Sequence, residues 1–113
     1  MRAMDKLLSL LGLARRAGRL EAGFDACAGA ARAKRAALLI AARDVSEKTF
    51  KNLRYEAERA GIPAVRLPAA DMEQLGRACG VRAGVVALTD QGFAKAVLGA
   101  LPEETEDKEE FAI

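Results

Sequence analysis

The chain has no histidine, so the side chain that most often shuttles protons near neutral pH is missing. Its only serines are Ser9 and Ser46, and Ser46 stands where a helix N-cap is expected. Two cysteines, Cys27 and Cys79, are far apart in the sequence, and without histidine they cannot complete a four-ligand zinc site. Cys27 falls in the first turn of an expected helix, where the helix dipole lowers a thiol pKa, so it is the one credible nucleophile. The competing reading is of two small buried thiols in a reducing compartment, and it is the favoured one. Carboxylates are scattered singly or gathered near the C-terminus, and no glycine-rich phosphate loop or dinucleotide fingerprint is present. These residues lead us to expect no enzyme, no catalytic residue, no metal and no cofactor.

What remains is the chemistry of binding. Arg15-Arg16-Ala17-Gly18-Arg19 and Arg32-Ala33-Lys34-Arg35 each crowd cations around an expected helix C-terminus, where the dipole accounts for part of them. Gly23-Phe24-Asp25 opens a helix whose bare N–H groups can meet an anion. The net charge of +2 conceals an asymmetry: residues 1 to 101 carry 17 Lys and Arg against 10 Asp and Glu. Residues 102 to 113 carry Lys108 against Glu103, Glu104, Glu106, Asp107, Glu109 and Glu110. A basic globule therefore bears an acidic tail. Such a body suits a polyanion, and such a tail can imitate one.

The elements that must position these residues follow from periodicity. At 113 residues the chain is long enough for one domain with its own core. Only 4% of it is aromatic, so Ala, Leu, Val and Ile must build that core. Lys6 to Ala17 places Leu7, Leu8, Leu11 and Ala14 on one helical face, with Gly18 as a left-handed cap. Leu20 to Ala22 is extended, and Phe24 to about Ala33 is an Ala-rich helix. Ala36 to Ala42 is a continuous apolar run, the pattern of a strand buried on both faces. Ser46 caps a helix to Ala60 that Gly61 and Pro63 end, and Ala64 to Leu67 forms the next strand. Asp71 caps a helix through Ala78 that Gly80 ends. Val85 to Leu88 is the last strand, and Thr89 or Asp90 opens a helix through Leu101, stopped by Pro102. The alternation predicts an α/β protein, a three-layer α/β/α sandwich around a four-stranded mixed sheet. The domain spans residues 1–101, and residues 102–113 are expected to be a disordered acidic tail. No run approaches the ~20 apolar residues of a membrane span, and no signal peptide is evident, so the chain is expected to be cytoplasmic.

Several segments carry a family resemblance. Leu75-Gly76-Arg77-Ala78-Cys79-Gly80-Val81, after Gly61-Ile62-Pro63 and a strand, strongly resembles the kink-turn RNA-binding superfamily, which includes archaeal and eukaryotic ribosomal proteins and a spliceosomal and snoRNP member. Leu11-Gly12-Leu13-Ala14-Arg15-Arg16-Ala17-Gly18, Asp44-Val45-Ser46-Glu47-Lys48-Thr49 and Thr89-Asp90-Gln91-Gly92-Phe93-Ala94-Lys95 resemble its bacterial, YlxQ-like branch. The likeness covers residues 6 to about 101. It implies an α/β/α protein that grips a sharply bent RNA, with a helix N-terminus reading sheared G·A pairs and an apolar loop packing on an extruded base. Accessible bases are needed because A-form grooves otherwise hide base edges from side chains. The family's reading motif, Gly-x-Asn-Glu-x-x-Lys, corresponds to Gly23-Phe24-Asp25-Ala26-Cys27-Ala28-Gly29. Here Asp replaces Asn, and Ala26 and Gly29 replace the Glu and Lys, so two side-chain hydrogen-bonding groups are gone. In the loop, Val81 matches the pattern and Arg82-Ala83-Gly84 departs from it.

The resemblance thus implies a non-catalytic RNA-binding protein whose site comprises Gly23, Phe24, Asp25, Lys48, Val81 and Arg82, with Lys48 and Arg82 on flanking loops. Its expected partner is a structured rRNA or mRNA element, within a ribosome or transcription complex, with no membrane involved and the free protein a monomer. The alternative is a protein-binding accessory module of the same fold that has lost base-specific RNA recognition. The tail supplies one test. Deleting residues 102 to 113 should tighten RNA binding at low salt, because the segment competes with phosphate. The gain should fade as screening shortens towards ~10 Å. Equal low-salt affinities of the full and shortened chains would dismiss the competing tail.

Overall fold

A computed structural model gives the structure of residues 3–102. Five helices and four strands alternate: α1 (Ala3–Arg16), β1 (Leu20–Ala22), α2 (Phe24–Arg32), β2 (Leu38–Ala41), α3 (Glu47–Ala60), β3 (Ala64–Arg66), α4 (Met72–Cys79), β4 (Val85–Leu88) and α5 (Gln91–Ala100). The expected mixed sheet is present, in the order β1-β4-β2-β3. Strand β4 pairs antiparallel with β1 and β2, and β3 pairs parallel with β2. Strands β1, β2 and β3 therefore all point the same way. The acidic tail expected at 102–113 lies, from residue 103 on, outside the described residues.

Strand β2 sits between two others, and all four of its residues are buried. Leu38 and Ile40 face one layer, with Val86 and Leu88 of β4 beside them. Leu39 and Ala41 face the other, with Val85 and Ala87. This period-two division of one apolar run is what requires helices on both faces. Helices α1, α4 and α5 cover the first face through Leu7, Leu11, Leu75, Cys79, Ala94 and Val97. Helices α2 and α3 cover the second through Cys27, Ala30, Ala31, Phe50, Leu53 and Ala57. Expected boundaries shift slightly. Helix α1 begins one turn before Lys6 and ends at Arg16, one residue short of the expected Ala17. Regular β2 structure narrows to Leu38–Ala41, although Ala37 and Ala42 still donate N–H bonds to the carbonyls of Leu88 and Gly84.

The capping chemistry matches the expectations. Ser46 Oγ accepts from Thr49 N–H at 3.0 Å, and Gly61 takes the left-handed conformation that ends α3. Asp71 and Gln74 form a full capping box on α4, and Asp90 accepts from Phe93 N–H at 2.8 Å. Both cysteines are buried, and burial, the leading cause in each case, pushes the Cys27 thiol up to about 12 and that of Cys79 to about 11. Cys27 Sγ lies 3.8 Å from the Glu21 carbonyl, which it faces as a weak donor. The helix start that would activate a thiol is thus outweighed by desolvation, as expected for packing cysteines. Among the described residues no cluster could hold a metal ion, and no helix is long and apolar enough to cross a membrane.

Glu56 is the one buried charged residue among those described, on the α2-facing side of α3. It accepts a two-point bond from the Arg32 guanidinium, Nε at 3.1 Å and Nη2 at 2.5 Å. The Arg32 hydrogen bond holds the Glu56 carboxyl below its usual range. A lowered folded-state pKa means that the stabilisation is present above the ordinary glutamate value and is lost as pH falls through the lowered one. Glu56→Gln should therefore unfold at lower denaturant than wild type at pH 7, and the two midpoints should converge as pH falls below about 4. Alkylation offers a second check. At pH 8 the folded protein's thiols should react with iodoacetamide at least ~100-fold more slowly than free cysteine, since little thiolate forms. Rapid modification of Cys27 in the native state would return it to the nucleophiles.

Candidate nucleic-acid interface

Because β1, β2 and β3 are parallel, the helices that follow them, α2, α3 and α4, all begin at one end of the sheet. Strand β4 starts at that same end, so the connection 80–84 also arrives there. We term this the near pole. The positive ends of three helix dipoles gather on it.

The three helix starts are not equivalent. Ser46 fills the start of α3 and Asp71 that of α4. Asp44 adds to the latter across the chain, its Oδ1 accepting from Met72 N–H at 2.9 Å. Helix α2 begins at Gly23, φ 97° and ψ 148°, with no side-chain cap. That φ lies in the region that favours glycine, and Gly23 N–H is bonded to the Val85 carbonyl at 3.0 Å. The first N–H groups of α2, unlike those of its neighbours, carry no side-chain acceptor. They are available to an anion or a base edge.

A groove of about 740 Å³ runs beside α4, bounded by Asp44, Gly76, Arg77 and the connection Gly80–Gly84. A smaller recess, lined by Phe24, Val45, Ser46, Thr49 and Val85, adjoins it. Asp44, Met72 and Gly84 border both, so the start of α2 and the 80–84 connection are joined by one continuous depression. Gly84 is required by close approach. A Cβ there would lie 2.9 Å from both Met72 Sδ and Val45 Cγ1. Met72, 41% exposed, leaves its thioether as an apolar surface on the rim.

Of the six residues expected at the site, Phe24, Val81 and Arg82 line this depression, and Gly23 and Asp25 stand at the adjoining start of α2. Lys48 differs from expectation: it is an exposed residue of the first turn of α3 rather than of a loop, and it lines neither recess. Ser46 is the cap, so the next positions already belong to the helix. Val81 is only partly available, because it also packs against the α1/α4/α5 core. Sequence reading missed Asp44, Met72 and Gly84. The Asp44–Thr49 stretch was legible as a helix start and as a segment of family resemblance but not as a wall of the groove, and nothing local to Met72 signals that it meets a glycine twelve positions later.

The two arginine clusters are not at this pole. Arg15 and Arg16 close α1 and Arg19 follows it, and Lys34 and Arg35 follow the end of α2, at the opposite end of the sheet. On the near pole five basic side chains, Arg43, Lys48, Arg66, Arg77 and Arg82, are balanced by Asp25, Asp44, Glu47, Asp71 and Glu73. Attraction for anions there rests on helix dipoles rather than on net charge.

Residues 5–98 match the ribosomal protein L7Ae/L30e/S12e/Gadd45 family. The chain is 36% identical over 93 residues to the RNA-binding protein YlxQ of Bacillus subtilis, covering 81% of this chain and 91% of that protein. It is 32% identical over 92 residues to the RNA-binding protein YlxQ of Enterococcus faecium, covering 80% and 86%. Among solved structures, a protein of unknown function from Bacillus halodurans superposes with a TM-score of 0.79 at 31% identity, covering 84% of this chain and 95% of that one. The 15.5 kD RNA-binding protein of Giardia lamblia superposes at 0.73 and 22% identity, covering 87% and 83%, a likeness of fold. The chain therefore belongs to the ribosomal protein L7Ae/L30e/S12e/Gadd45 family, and within it is similar to the YlxQ proteins of bacteria.

Proposed function

We propose that this protein is a non-catalytic RNA-binding protein that takes a sharply bent RNA, of the kink-turn class, on the near pole. The observation that carries the reading is the uncapped start of α2 opening onto a groove that ends in the 80–84 connection. That both YlxQ relatives are RNA-binding proteins supports it. Backbone N–H groups at Phe24 and the Asp25 carboxylate face the bases; a carboxylate accepts from guanine N1–H and N2–H. Met72 and Val81 offer apolar surface to an extruded base, and Lys48 and Arg82 meet the flanking phosphates. Burial of both cysteine thiols supports the non-catalytic reading. An RNA element in a ribosome or transcription complex is the partner class that fits, with the protein acting in the cytoplasm.

One observation favours the protein-binding alternative: the balanced charge of the near pole. RNA affinity that falls steeply with salt supports the first reading, and a salt-insensitive partner contact supports the second.

The motif itself provides the sharper test. Ala26 and Gly29 lie within the first two turns of α2, and a Cβ at Gly29 meets nothing within 4 Å, so longer side chains have room. Ala26→Glu with Gly29→Lys should raise the affinity ratio of a kink-turn RNA over its G·A-disrupted form by about tenfold or more, since a bidentate base contact is worth roughly 1–3 kcal/mol. Gly29→Lys alone should also strengthen binding overall, through one added cation. An unchanged ratio in the folded double variant would mean that α2 is not the reading element.

A further inference from the structure

Part of the globule's excess positive charge is gathered at the far end of the sheet. Leu20 and Leu38 both pair with Leu88, on its two sides, so the turns leading into β1 and β2 lie about 10 Å apart at the far end of the sheet. Arg15, Arg16 and Arg19 sit at one of these turns, Lys34 and Arg35 at the other, against Glu21 and Asp90. The start of α5 adjoins them, since Thr89 N–H is bonded to the Arg19 carbonyl at 3.0 Å. The near pole is balanced in charge, whereas this far pole is not.

Helix dipoles and internal pairs account for only part of this cluster. Arg15 and Arg16 lie in the last turn of α1, where the dipole favours cations, and Arg15 Nη1 also donates to the Cys79 carbonyl at 2.9 Å. Arg35 is paired with Glu21. Arg16, Arg19 and Lys34 are exposed, and their side chains make no hydrogen bond or ion pair among the described residues. Arg19 and Lys34 lie beyond the helices, so the dipole does not explain them.

Lys34 adds a second, independent observation. Both helices end in the same motif: Gly18 and Lys34 each take the left-handed position, with Arg19 N–H bonded to Ala14 O at 2.8 Å and Arg35 N–H to Ala30 O at 2.9 Å. Among the described residues, Lys34, at φ 62°, is the only residue other than glycine with positive φ. Glycine serves this conformation at Gly18, Gly61 and Gly80. A lysine held in a strained conformation, with its ammonium in solvent, points to a use for that charge outside the protein.

We propose that the far pole is a second RNA-contact surface, which grips the phosphate backbone of a helical RNA segment through Arg16, Arg19 and Lys34. One molecule then holds two RNA segments at opposite ends of its sheet: a bent one at the near pole by shape, a regular one at the far pole by charge. The proposal rests on the RNA-binding reading above but not on kink-turn selectivity.

The experiment uses the full chain bound to an immobilised kink-turn RNA and challenged with a labelled short RNA duplex, beside free-solution titrations of each RNA. Wild type should retain the duplex. The variant Arg16→Gln/Arg19→Gln/Lys34→Gln should lose at least tenfold in duplex affinity. Its log–log salt slope should be shallower by about two to three, since each phosphate contact contributes ~0.9. Its preference for the kink-turn over the G·A-disrupted form should be unchanged. Lys34→Gly separates binding from folding: its melting temperature should hold or rise, because glycine suits the left-handed position, while duplex affinity falls. Arg16→Lys/Arg19→Lys should restore most of the affinity. Equal duplex affinity of wild type and triple variant, with kink-turn binding intact, overturns the far-pole proposal alone. Duplex binding lost in the triple variant, with no kink-turn preference in wild type, sustains it and removes kink-turn selectivity. Failure of wild type to bind either RNA removes both readings. Capture of a synthetic peptide of residues 103–113 in place of duplex, lost in the triple variant, assigns the pole to an acidic peptide and overturns the proposal.

Discussion

The structure depends on a strand with no side chain facing water. Strand β2 is apolar throughout and paired on both edges, so its two faces must each be covered, and only helices returning across the sheet can do that. Helical returns make β1, β2 and β3 parallel, and parallel strands align the helices between them. Dipole direction is thereby sorted. Three of the ends that attract anions, those of α2, α3 and α4, collect at one pole, while two of the ends that repel them, those of α1 and α2, stand at the other beside the start of α5. The distribution of binding chemistry follows from the burial of Leu38 to Ala41.

Charge is laid over this scaffold in the opposite sense. At the near pole, where three helix starts favour anions, acidic and basic side chains cancel; at the far pole, where the carbonyl ends of α1 and α2 stand beside the start of α5, arginine and lysine accumulate. A ligand at the near pole must be recognised by shape and directed hydrogen bonds, which act over a few ångströms. A ligand at the far pole is felt from roughly a Debye length away. The two surfaces thus differ in range as well as in place.

The sequence was most legible where the signal is local. Ser46, Gly61, Asp71, Gly80 and Asp90 behave as caps because capping needs only neighbours in the chain. The apolar run at 36–42 was recognisable as a buried strand by length and composition alone. What was not legible arises between distant segments. Asp44 bonds the start of α4, Gly84 accommodates Met72 and Val45, and Arg32 spends its charge on Glu56. The arginine clusters illustrate the same limit. Their composition revealed an affinity for polyanions, but the end of the sheet on which they stand follows from strand order. Lys48 shows a smaller version, since an N-cap at Ser46 already commits the residues after it to a helix.

The order of the sheet has a temporal consequence. Strand β1 has one strand neighbour, β4, with Leu20 opposite Leu88 and Ala22 opposite Val86. During synthesis at ~5–20 residues per second, about 3–14 s separate the appearance of these two segments. Strands β2 and β3 can pair long before, over a short crossover through α3. The N-terminal helix and strand, which carry Arg15, Arg16 and Arg19, must therefore wait as an unpaired basic arm until nearly the whole domain has left the ribosome. The β1 edge of the sheet, and with it the meeting of the two basic turns across Leu88, comes into being last.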